Sequence, residues 1–232
     1  MTETLTTSAE SCGTLALRDV PLGSPTRPSW RGRLHLIALV VAVPLGALVS
    51  VDADGGRIRV GVIIYAVGLC SMFGVSTTYH RWVHTIRARS IWRRADHATI
   101  FVAIAATSTP LCLTFQPTSA AAWRLAAVWC LAAIGIVAKA TGTRPGNHLG
   151  NVLYIVNSWA GMFILRALWS GGYVTETVLI ITGGLIYTIG ALGFARRWPT
   201  LKPTVFSYHE VWHLCTLTAA GAHLAAVWIV VA

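Results

Sequence analysis

The sequence predicts an all-α polytopic membrane protein: a bundle of seven transmembrane helices, N-terminus in the cytoplasm and C-terminus outside. Three observations predict it. Of 232 residues, 55% are hydrophobic and 11% charged, where a soluble domain carries about 25% charged residues, and the mean hydropathy is +0.63. Apolar runs recur along the chain, each near the roughly 20 helical residues that a bilayer core requires. The Lys and Arg residues between those runs fall mostly on one side when the runs are counted as seven.

In chain order, residues 1–30 are rich in Ser, Thr, Gly and Pro and lack apolar periodicity. They are expected to form a disordered cytoplasmic tail, with no signal-peptide core. Residues 31–232 form the membrane domain. Span 1 covers about Leu34–Val51, and Asp52-Ala53-Asp54-Gly55-Gly56 turns the chain. Span 2 covers about Val60–His80, followed by a basic loop from Arg81 to Arg94. Span 3 covers about His97–Phe115, with Pro110 tolerated by bundle packing. Span 4 covers about Ala122–Ala138, and a Gly- and Pro-containing loop follows at 141–146. Spans 5, 6 and 7 cover about Leu149–Leu168, Tyr173–Ala195 and Phe206–Val231.

Charge sets the orientation. The tail (Arg18, Arg27, Arg31, Arg33) and the even-numbered connections (Arg81, Arg87, Arg89, Arg93, Arg94; Lys139, Arg144; Arg196, Arg197, Lys202) hold fourteen of the 18 Lys and Arg residues. Arg57, Arg59, Arg124 and Arg166 fall on the other side. Positive residues stay in the cytoplasm, so the tail is inside and the C-terminus outside. The same rule accounts for the net charge of +10, so nucleic acid is not an expected partner; membrane lipids are. The five cysteines, Cys12, Cys70, Cys112, Cys130 and Cys215, form no C-x-x-C pair, and four lie in apolar runs. They read as small apolar residues. Ten tryptophans suit interfacial belts.

Candidate chemistry gathers at one depth. His209-Glu210-Val211-Trp212-His213 opens the last span. Two histidines four apart share one helix face, about 6 Å apart along the axis, and such a pair can hold one ion. In the seven-span topology His80 ends span 2 and Asp96 begins span 3 at the same cytoplasmic end. Ionisable residues within a membrane are costly and point to function. Three imidazoles and a carboxylate match a zinc site with three protein ligands and an open position. Taken singly, each has a plainer role: His80, His209 and His213 as interfacial residues, Asp96 as an N-cap or a partner for Arg93 or Arg94. Ser76 lies one turn before His80, where its hydroxyl either enters the site or bonds the carbonyl four residues back. H-E-x-x-H also spells the zinc-protease motif, but Glu210 turns off the histidine face. His223 lies about 15 Å further along the last helix, too far to share the ion, and is expected to hydrogen-bond within the bundle. His97 points about 100° away from Asp96, His84 lies in the basic loop, and His35 and His148 lie in flanks.

These residues resemble a known family. Ser76-Thr77-Thr78-Tyr79-His80, Asp96-His97-Ala98-Thr99-Ile100-Phe101 with Thr107-Ser108-Thr109-Pro110, and His209-Glu210-Val211-Trp212-His213 with Gly221-Ala222-His223 are similar to three helix motifs of hemolysin III-like proteins. These are the bacterial branch of the progestin and adiponectin receptor family, and the resemblance covers about residues 30–232. It implies seven helices, a cytoplasmic N-terminus, a zinc held by His80, His209 and His213, and Asp96 reaching the metal through water. The wider superfamily includes alkaline ceramidases, which implies hydrolysis of lipid amides. Some relatives carry a Glu five residues before the Ser of the second helix; Ser71 stands there in this chain, so no role passes to that position.

Three functions follow as alternatives. The first is a zinc-dependent lipid amide or ester hydrolase in membrane lipid homeostasis, with Asp96 and Ser76 as its catalytic residues. The second is a sensor of membrane state with a structural zinc. The third is a lytic, pore-forming protein, which the lack of a polar stripe through several spans disfavours. Three histidines with an open position favour the enzyme.

Overall fold

The computed structural model describes residues 27–141, 148–160 and 163–232. Most of the expected disordered tail, Cys12 and most of the loop after span 4 lie outside the described residues. Within them run α1 (Arg33–Asp52), α2 (Gly56–Arg81), α3 (Ile86–Phe115), α4 (Thr118–Thr141), α5 (His148–Ala160), α6 (Phe163–Ser170), α7 (Val174–Arg196) and α8 (Tyr208–Val231). Seven segments are long and apolar enough to cross a membrane; α5 and α6 together supply the fifth.

The expected spans match these helices, and the largest difference is at span 3. The basic stretch expected to be a loop to Arg94 is mostly helix, because α3 begins at Ile86. Thr85 caps it by accepting from the Ala88 N–H at 3.2 Å. Arg and Ala are good helix formers, so the polar stretch simply extends the apolar one. Asp96 therefore sits well inside α3, not at its N-cap. Residues 27–30, expected in the tail, belong to the fold: the Ser29 and Trp30 N–H groups donate to the carbonyls of Thr204 and Val205 at 3.0 and 3.2 Å.

Burial is inverted relative to a soluble protein. Val40, Val67, Ile134 and Ile189 face outward, as expected where lipid rather than water is the solvent. Many polar side chains are turned inward, among them His35, Ser76, Thr77, His80, Glu210 and His213. Several hydroxyls in the spans bond the carbonyl four residues back, as Thr107, Ser108 and Thr109 do ahead of Pro110, which satisfies those donors inside the bilayer. Small residues let helices approach closely. A Cβ at Gly68 of α2 would stand 2.5 Å from the Cβ of Ala106 on α3.

In the bundle α2 lies between α1 and α3, α7 packs along α8, and α8 also touches α1, α2 and α3. The first and last helices run parallel and are tied at both ends. At the starts, Arg31 pairs with Glu210. At the finishes, Trp228 Nε1 donates to Asp52 Oδ2 at 3.0 Å and the Asp54 N–H to the Val231 carbonyl at 3.3 Å. Parallel first and last helices are what an odd number of alternating spans requires.

Candidate metal centre

The centre forms where α2 ends and α8 begins. Ser207 starts α8 with a capping box: its hydroxyl accepts from the His209 N–H at 3.3 Å, and Glu210 Oε2 accepts from the Ser207 N–H at 2.8 Å. That cap fixes the first turn, which carries His209, and His213 follows one turn on. On the facing side His80 occupies the last turn of α2. His80 and His213 are buried. The three rings stand edge to face or tilted, with centres 4.7–5.1 Å apart. One nitrogen from each lies within 4.8 Å of the others.

These residues fit a metal ion. Two nitrogens each about 2.05 Å from a tetrahedral ion stand about 3.3 Å apart, and the Nε2 atoms of His80 and His209 are 3.2 Å apart. His213 stands wider and closes the triad with a shift of about an ångström, small for a side chain on its own torsions. The Nδ1 of His213 is buried and has no hydrogen-bond partner. An all-imidazole donor set suits zinc, copper, iron or nickel rather than calcium or magnesium.

Ser76 is buried one turn before His80 on α2, and its hydroxyl faces the Asp96 carboxylate of α3. Next to Asp96, the His97 Nδ1 donates to the Arg93 carbonyl at 2.7 Å, and the Tyr154 hydroxyl to the His97 carbonyl at 2.8 Å. His97 is thus turned away from Asp96, as its position predicts. His223 donates from Nε2 to the Ile180 carbonyl at 3.2 Å and binds α8 to α7, also as expected. Glu210 is fully buried, and its carboxylate is used up by Ser207 and Arg31. It is a cap and an ion-pair partner, not a base.

A strap from residues 27–32 covers this end. Arg27 donates to the His80 carbonyl, which would otherwise be an unpaired helix-end acceptor. Burial and the neighbouring Arg31 lower the Arg27 guanidinium to about 10, so it remains charged at neutral pH. Gly32 adopts φ +75°, and a Cβ there would lie 2.8 Å from the Cβ of His80. The backbone thus packs directly on a candidate ligand.

One member of the site escapes the sequence reading. His35, assigned there to a flank, is buried and stacks on His213, ring centres 3.9 Å apart and planes 10° apart. No spacing within span 1 signals a partner almost the whole chain away. The side chain of His148, the other flanking histidine, lies outside the described residues.

The family model described as "Haemolysin-III related" matches residues 24–224. This chain belongs to that family. Among its relatives, Hemolysin-3 of Bacillus cereus is 26% identical over 79% of this chain and 82% of its own length. The Hemolysin-3 homolog of Bacillus subtilis is 26% identical over 81% and 86%. The human Monocyte to macrophage differentiation factor is 25% identical over 84% and 80%. The haemolysin III family is a branch of the progestin and adiponectin receptor family, as the three motifs imply. The match to bacterial members and the seven spans make the chain a multi-pass plasma-membrane protein. Both regions that supply the triad lie inside the matched residues.

Proposed function

We propose that this haemolysin III-family chain is a zinc-dependent hydrolase of membrane-lipid amides or esters that acts in membrane lipid homeostasis. The observation that carries the reading is the pairing of Asp96 with Ser76 one turn from a three-imidazole cluster. His80, His209 and His213 hold the zinc. When bound, the ion supplies Lewis-acid polarisation of a carbonyl and lowers the pKa of a water to about 7. Asp96 orients the attacking water and takes its proton as general base. Ser76 holds the Asp96 carboxylate on one side, which leaves its remaining lone pairs to the water. The strap over the open end of the bundle limits access of bulk water, and lipid enters from within the bilayer at headgroup depth.

The test is purified protein in vesicles with lipid amide and ester substrates, read by mass spectrometry and paired with metal analysis. Wild type should carry about one zinc per chain and turn over substrate. Asp96→Asn should keep the zinc and lose about 10²- to 10⁴-fold in rate, the usual contribution of a general base. His213→Ala should lose both. Full activity, or full cellular function, in Asp96→Asn would favour the sensor, in which zinc only ties α2 to α8.

A further inference from the structure

An arginine at the membrane–water boundary ordinarily lays its stem along apolar surface and keeps its head in water. On the cytoplasmic side of this bundle Arg33, Arg87, Arg93 and Arg94 are exposed in that way. Arg27, Arg31 and Arg81 are not. Each is half-buried, and all three meet where the strap crosses the end of α2. Arg27 bonds the His80 carbonyl. Arg31 pairs with Glu210, and its Nη2 donates to the Ser207 hydroxyl at 3.3 Å. The Arg81 side chain runs beneath the strap, its Cγ 2.9 Å from where a Cβ on Gly32 would stand. Its Nε is buried and has no hydrogen-bond partner. The charges of Arg31 and Arg81, with that of Arg89 on α3, all bear on the Arg27 guanidinium and oppose its own. The carboxylate at this end, Glu210, is taken by Arg31 and Ser207. Asp52 and Glu176 lie at the far end of the bundle, and Asp96 faces Ser76. Like charges gathered under partial burial repel one another, so the arrangement is at rest only with an anion among them.

We propose that Arg27, Arg31 and Arg81 form an anion site at the cytoplasmic mouth of the bundle that takes a phosphate group, carried either by the headgroup of an inner-leaflet lipid or by a soluble phosphate compound. The guanidinium fork matches phosphate oxygens two at a time, and a phosphate has enough oxygens to answer more than one fork. The buried Nε of Arg81 is then a donor with an acceptor. Two of the three arginines belong to the strap and the third to α2, so the bound anion fastens the strap to the bundle. The site stands independently of the metal centre, because none of its arginines is a metal ligand.

The experiment titrates the full chain, in dodecyl maltoside at constant ionic strength, with three probes: dioctanoyl phosphatidylglycerol, dioctanoylglycerol, which lacks the phosphate, and sodium phosphate. Binding is read by native mass spectrometry and by the shift in melting temperature. Wild type should bind the phosphatidylglycerol and not the dioctanoylglycerol. The double variant Arg27→Gln, Arg81→Gln should weaken that binding about 10- to 100-fold, the effect of losing hydrogen bonds to a charged group. The pair Arg33→Gln, Arg87→Gln removes the same charge from exposed positions and should cost less than about threefold. The pair Arg27→Lys, Arg81→Lys keeps the charge and loses the fork, so it tests the site even where the glutamine pair does not fold; it should weaken binding about tenfold. Phosphatidylglycerol bound at least about tenfold more tightly than sodium phosphate assigns the site to a lipid headgroup, and similar affinities assign it to a soluble phosphate compound. Equal loss in the two glutamine pairs reduces the effect to surface charge and overturns the proposal. Equal binding of phosphatidylglycerol and dioctanoylglycerol overturns it too, as does wild-type affinity in the lysine pair.

Discussion

At the scale of single residues, the centre depends on side chains that the chain supplies far apart. His80→Ala removes one of the three imidazoles, so the purified variant should hold far less zinc than wild type by metal analysis; equal content would remove His80 from the centre. Gly32 gives a more demanding test, because it lies outside the ligand set. Alanine there meets a left-handed backbone conformation that costs about 1–2 kcal/mol and a clash with the His80 Cβ. Gly32→Ala should lower both the melting temperature and the zinc affinity, whereas Gly55→Ala, also at positive φ but with open space around it, should lower only the first. The sequence exposes His80, His209 and His213 because topology brings span ends to one depth. It hides His35 and Gly32, because stacking on His213 and packing on His80 are side-chain contacts that no local pattern encodes.

At the scale of elements, helix ends do the positioning. The Ser207–Glu210 cap sets the first turn of α8, and Arg31 closes over it from the start of α1. Removing one partner of a buried ion pair costs about 3–5 kcal/mol. Arg31→Ala should fall near the lower end of that range in thermal unfolding, because Ser207 still bonds Glu210. A change below about 0.5 kcal/mol would place the pair among exposed ones. Spans 1, 2, 4, 6 and 7 are legible from hydropathy and turns. The start of α3 is not, since a window that scores apolarity cannot see that Arg-rich residues 86–95 continue the same helix. Span 5 is legible from hydropathy too, its expected Leu149–Leu168 overlapping the fifth membrane-length segment, Val152–Ser170.

At the scale of the whole molecule, parity and charge make separate statements. The Arg31–Glu210 and Trp228–Asp52 contacts establish that α1 and α8 are parallel. The side of the membrane is set by the Lys and Arg distribution alone. A reporter fused after Ala232 should be active outside the cytoplasm and one fused before Arg27 inside; the reverse pattern would place the histidine centre at the outer face.

The split of the centre between α2 and α8 has a consequence for biogenesis. Chains emerge N-terminus first, at about 5–20 residues per second, and α8 is the last helix written. A nascent chain that has inserted everything before Tyr208 carries one of the three imidazoles and half of the Arg31–Glu210 clasp. The metal of the proposed function therefore has no three-histidine site until the final helix is in the bilayer. On the proposed metal-binding reading, loading marks completed insertion, and a chain truncated before Tyr208 should be found in the membrane, metal-free and open to quality-control proteolysis.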